Sequence, residues 1–163
     1  MLSRENLFFA AGNNLGVRCC PTQATHILLL NSDIEVRADC WLQAMLNVHE
    51  TGITSLGFAN GVLPRADGYC FLIDRFLYER FWLDESLPWW WGTTRLQSQV
   101  LKAGYSVKAV KRHEKLLHHV GGRSGPIQRY LSESESGFLI TLREAIGWFE
   151  GHRVKLIGEI ECP

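Results

Sequence analysis

Apolar positions along this chain alternate between two rhythms. Short unbroken apolar runs predict buried strands at Ile27–Leu30, within "ITSLGFAN" and "GYCFLIDR", and then in "YSVKAVKR" and "EKLLHHV". Turn-rich "GVLPRADG" separates the second strand from the third. Apolar residues three and four apart predict helices in between. Leu7, Phe8, Ala11, Leu15 and Val17 fit a helix over 5–19 despite Gly12 and Gly16. Trp41, Leu42, Met45 and Leu46 share one face of a helix over 36–48, with Asp39 near its positive start. A short helix follows over Phe76–Phe81, then a loop through "LDESLPWWWG", then a helix from Thr93 to Ala103 that stops at Gly104. After Pro126, the residues Ile127, Leu131, Phe138, Leu142, Ile146 and Phe149 predict a last helix reaching 149. Strand–helix alternation over a single domain of 163 residues means an α/β fold on a mixed sheet.

Composition narrows the partners. Hydrophobic residues make up 46% and charged residues 21%, as in an ordinary globular domain. Seventeen basic and seventeen acidic side chains cancel, so no electrostatic footprint for nucleic acid or anionic lipid is present. Cys19, Cys20, Cys40, Cys70 and Cys162 are odd in number and form no CxxC pair. They read as mostly reduced thiols of a cytoplasmic protein rather than a disulfide framework. The start carries no basic-then-apolar leader pattern, and no run reaches transmembrane length.

The chemistry concentrates where the first strand ends, in Asn31-Ser32-Asp33. Polar residues there can simply stop the strand and begin a turn. They also lie where a parallel sheet presents ligands, at the carboxyl ends of its strands. "GGRSG" lacks the nucleophile-elbow and phosphate-loop patterns, and "HH" with scattered cysteines lacks zinc-site spacing.

In order along the chain, "ENLFFAAGNNLGVRCC", "HILLLNSDIEVRADCWLQAML", "GYCFLIDRFLYERF", "LDESL", "KAGYSVKAV" and "HHVGGRS" resemble the family-2 glycosyltransferases of the GT-A fold, over roughly residues 5–124. The resemblance implies a partial GT-A mixed sheet flanked by helices, a nucleotide-diphosphate sugar as donor, and a carbohydrate or glycolipid as acceptor. It implies a divalent cation, Mn2+ or Mg2+, held by Asp33 and by His119, with His118 as the register alternative. Asn14 and Asn31 fall on donor-site positions; Asn14 fits helix packing equally well. Asp84 and Glu85 fall on the acceptor side, as catalytic candidates or as residues of a solvated loop. Trp89, Trp90 and Trp91 suit a sugar platform, a hydrophobic plug, or a protein or membrane-surface contact.

Two departures from the family pattern stand out. The strand–helix–strand unit that opens the family fold has no counterpart, which leads us to expect a second copy or a partner chain over the uncovered edge. The acidic motif carrying the family's catalytic base is replaced by "GTTRLQSQ", so Gly92, Thr93 and Arg95 occupy acidic positions and only Leu96 keeps the pattern. Arg95 cannot accept a proton, but it can face a diphosphate as a fixed positive charge. A non-catalytic relative that binds carbohydrate or a protein partner is therefore the alternative to an enzyme.

Overall fold

The computed structural model describes residues 6–87, 90–121 and 142–163. It is a mixed α/β structure whose elements run α1 (Phe8–Arg18), β1 (His26–Leu30), β2 (Ile34–Val36), α2 (Trp41–Val48), β3 (Gly52–Ser55), β4 (Phe58–Ala59), β5 (Arg65–Ala66) and β6 (Cys70–Asp74). They continue through α3 (Arg75–Phe81), α4 (Trp90–Lys102), β7 (Ser106–Arg112), β8 (Leu117–His119), α5 (Leu142–Phe149) and β9 (Lys155–Glu159). A five-stranded sheet has the order β1-β6-β3-β7-β9. β6 runs antiparallel to both β1 and β3, while β3, β7 and β9 are parallel. Four strands thus point one way around a single reversed one.

Apolar alternation explains how this sheet is covered. Along β6, Phe71 and Ile73 enter one hydrophobic cluster, shared with α1, α3, α4 and α5. Cys70 and Leu72 enter a second cluster on the opposite face, shared with Ala44 and Met45 of α2. Each such side chain contributes about 1.5–3 kcal/mol through burial. α1 buries Ala10, Asn14 and Val17, spaced to share one face of a helix. On α4, the buried Gln97 amide donates to the Ala66 carbonyl at 2.9 Å and accepts from the Ala66 amide at 3.0 Å, serving β5 as an extra strand would.

Several expected boundaries move for identifiable reasons. The helix expected from residue 36 starts at Trp41, because Val36 belongs to β2 and pairs with Leu117 of β8. Beyond it, the Arg37 and Ala38 amides both donate to the Leu116 carbonyl, at 2.9 and 3.2 Å, which keeps the chain extended. The strand expected over "EKLLHHV" shrinks to Leu117–His119, since Leu116 and Leu117 first turn back onto the His113 carbonyl. α4 reaches back to Trp90, into the expected loop, with Gly92 packed so closely that a Cβ would meet the Leu87 carbonyl at 3.0 Å. Strand β9 was not expected. Of the last helix, Leu142–Phe149 is helical, while Ile127, Leu131 and Phe138 lie outside the described residues.

The cysteine expectation holds in part. Cys40 and Cys162 form a disulfide with Cα atoms 5.5 Å apart, whereas Cys19, Cys20 and Cys70 are in no disulfide. The bond joins the start of α2 to the segment after β9, across 122 positions of sequence. Among the described residues, no helix is long and apolar enough to cross a membrane. Constraining so long a loop removes entropy from the unfolded chain, an effect of about 2–5 kcal/mol. Reduction, or the Cys40→Ser variant, should lower the urea-unfolding free energy by that amount; an unchanged midpoint would mean the bond contributes nothing to stability.

Candidate functional site

The turn Asn31-Ser32-Asp33 stands at the carboxyl end of β1, and β2 and β8 form a two-stranded ribbon immediately beyond it. In that ribbon Ile34 pairs with His119, and the Val120 amide donates to the Asp33 carbonyl at 3.0 Å. Ribbon register therefore brings His119 Nε2 to 3.3 Å from Asp33 Oδ1. The His119 ring stacks on Tyr69, with centroids 4.4 Å apart and planes 20° from parallel. Tyr69 is fixed in turn: its hydroxyl donates to the Leu56 carbonyl at 2.5 Å and meets His113 Nε2, and its carbonyl accepts from the Asn31 amide at 2.9 Å. Burial pushes the Tyr69 hydroxyl far above its ordinary pKa, so it stays protonated as a donor. Asp33 and His119 are thus adjacent and backed by a rigid aromatic ring. His118, paired with Glu35, takes the alternate register position.

The acceptor-side residues gather elsewhere, and their polar atoms are largely occupied. Asn14 is 1% exposed, and its amide group is saturated. Its Nδ2 donates to the Leu83 carbonyl at 2.8 Å and to Glu85 Oε1 at 2.9 Å, while Oδ1 accepts from the Tyr78 hydroxyl and the Leu83 amide. With every donor and acceptor engaged, Asn14 has nothing left to offer a diphosphate. It instead pins the loop after α3 to α1, the helix-packing alternative. Asp84 accepts from Arg95 Nη1 at 2.8 Å through one oxygen, and from the Ser86 amide and hydroxyl through the other. Arg95 also lies over the Trp148 ring, 5.7 Å from its centroid. Trp91 meets Trp148 edge to face at 6.2 Å, takes Arg65 over its own ring, and packs against the core. That environment makes Trp91 a plug rather than an open platform. Trp89 and the Trp90 side chain lie outside the described residues.

A second polar cluster forms at the opposite end of β1, where sequence order gives no hint of it. His26 pairs with Asp74 across β1 and β6, and His49, just past α2, closes on the same carboxylate. His49 Nε2 lies 3.3 Å from Asp74 Oδ2, and His26 Nε2 lies 3.7 Å from Oδ1. Burial lowers the His49 pKa below its ordinary value of 6.5, against the opposing pull of Asp74. The Gly52 amide donates to Asp74 Oδ2 at 2.6 Å. Only glycine fits there: φ is 143°, and a Cβ would stand 1.9 Å from the Ser106 carbonyl oxygen.

His113, behind Tyr69, has a pKa lowered first by burial, with Glu114 and the Val110 carbonyl opposing. A folded-state value below the unfolded 6.5 means that the unfolded chain binds the proton more readily. Stability should therefore be full above about pH 6.5 and fall as pH drops toward the folded-state pKa. Urea midpoints measured between pH 7.5 and pH 5, with His113→Gln flattening the slope, would bear this out; identical slopes in both proteins would not.

Comparison with protein-family models, curated proteins and solved structures finds no match to this chain.

Proposed function

We propose that this chain is a GT-A-like glycosyltransferase domain that binds a nucleotide-diphosphate sugar through a divalent cation at Asp33 and His119. One observation carries the reading. Two residues singled out by separate sequence motifs stand 3.3 Å apart at the carboxyl end of a strand that shares its direction with three others. Ligands of open α/β sheets gather at such strand ends. A carboxylate oxygen with one imidazole suits manganese better than magnesium, which prefers an all-oxygen shell. A cation bound there would neutralise charge on the departing diphosphate. Asp33 would supply the anionic ligand, and His119, held flat by Tyr69, would present its Nε2 without rearrangement. Asn31, next to Tyr69 and tied to it through the backbone, would face the nucleotide.

A second reading, a relative that binds without turning over, has its own support in Asp84. An acceptor hydroxyl needs a base within hydrogen-bond reach. Both Asp84 oxygens are committed to Arg95 and Ser86, and Glu85 is shared between Asn14 and Arg18. Losing general-base help slows transfer by about a hundred- to ten-thousand-fold. On this reading the donor binds and the sugar moves very slowly.

Calorimetry tests the donor site that both readings share, and turnover separates them. Calorimetry with uridine and guanosine diphosphate sugars should give tighter binding in manganese than in its absence. Asp33→Ala should abolish the increment while the circular dichroism spectrum is kept; equal affinity with and without manganese in the native chain would refute the donor site. Donor consumption with simple acceptors should be slow and should cease in the Asp84→Asn, Glu85→Gln double variant. Fast turnover that survives both changes would put the base on another residue.

A further inference from the structure

We propose that His26, His49 and Asp74 form a zinc site, at the end of the sheet opposite Asp33. This goes beyond the donor-site reading and stands without it. Three features of the geometry support it.

Spacing comes first. Zinc–nitrogen and zinc–oxygen bonds of about 2.0–2.1 Å place the ligand atoms of a tetrahedral site about 3.4 Å apart. One ligand atom from each of the three residues lies within 4.8 Å of the others; His26 Nε2 is 3.7 Å from Asp74 Oδ1, and His49 Nε2 is 3.3 Å from the other oxygen, Oδ2. At 3.7 Å the His26 contact is too long for a hydrogen bond, yet it suits two ligands of one ion.

Orientation comes second. Each imidazole has its remote nitrogen next to a threonine hydroxyl: His26 Nδ1 lies 2.9 Å from Thr25 Oγ1, and His49 Nδ1 lies 2.9 Å from Thr54 Oγ1. Metal-ligating histidines are held in this way, with the far N–H donated to an outer partner so that the near lone pair faces the metal. The Gly52 amide does the same for the carboxylate, binding Oδ2 and leaving Oδ1 toward His26.

Donor type and access come third. Two imidazoles with one carboxylate select zinc-class cations over magnesium or calcium, and three protein ligands leave a fourth position for water. His26 is 34% exposed, against 7% for His49 and 15% for Asp74, so the ion would enter past His26. The nearby Lys108 ammonium is paired with Glu50, at 2.7 Å, and donates to the Val48 carbonyl. Such an ion would clasp the start of β1, the end of β6 and the segment after α2.

The test is a zinc titration of the full chain, stripped with chelator and free of nucleotide, by calorimetry. A parallel cobalt titration is followed in the visible range. We expect one tight equivalent and the intense bands of four-coordinate cobalt. His26→Ala and His49→Ala should each weaken zinc at least ten-fold, and Thr54→Val about ten-fold, as loss of an outer partner does. His26 lies at the surface, so its variant should keep the native circular dichroism spectrum. Asp33→Ala and His119→Ala, which remove only the two-ligand cation site at the other end of the sheet, should leave the tight zinc equivalent in place. Absence of saturable zinc binding, or an isotherm undiminished in both histidine variants, would overturn the site. So would a loss seen in Asp33→Ala instead. Because no nucleotide is present, failure here leaves the donor-site reading intact, and failure of that reading leaves this one.

Discussion

The structure depends on one reversed strand. β6 lies between β1 and β3, pairs antiparallel with both, and is buried along Cys70–Ile73. Because it is reversed, β6 begins beside the carboxyl end of β1 and finishes beside its amino end. Just before its first residue, Tyr69 supports His119 and receives the Asn31 amide. At its last residue, Asp74 gathers His26, His49 and the Gly52 amide. Both polar clusters are thus anchored to the ends of a strand whose first four residues are buried, so their polar atoms are placed by core packing. Cys70, whose thiol burial pushes up to about 12, reports how dry that strand is.

Saturation of polar atoms does the complementary work on the helical side. Asn14 occupies an otherwise apolar face of α1 and would be expensive to bury unpaired. Four hydrogen bonds remove that penalty and fix the loop carrying Asp84 and Glu85. A group satisfied in this way gives rigidity and gives up reactivity. The same holds for Asp84, whose oxygens are occupied by Arg95 and Ser86.

What could be read in the sequence follows from the range of the forces involved. The core of β6 announces itself because burial on both faces demands continuous apolar residues, and Ile27–Leu30 carries the same unbroken apolar run although Leu30 is exposed. β9 escaped notice because Lys155–Glu159 is mostly exposed, and nothing in its local pattern demands a strand. β2, which overlaps the expected helix only at Val36, carries no local signal because its pairing with Leu117–His119 is decided by residues far along the chain. Asp33 and His119 could be named from motifs, but their adjacency comes from the ribbon register. His26, His49 and Asp74 carry no motif at all: antiparallel pairing and the end of α2 assemble them, and local spacing is silent about both. The Cys40–Cys162 bond was equally invisible, since cysteine counting ignores distance in space.

That bond gives the molecule a topology that its linear sequence does not suggest. From Cys40 to Cys162 the chain is a covalent ring that contains β3 to β9, with α1, β1 and β2 as a tail outside it. A single backbone cut anywhere in the ring opens it without making two molecules. The edge strand β9, held to the sheet by β7 alone among the described residues, would stay tethered at native-like concentration and could pair again. A protease nick between Asp33 and Cys40, by contrast, would cut the covalent path from α1, β1 and the carboxyl-end turn to everything else.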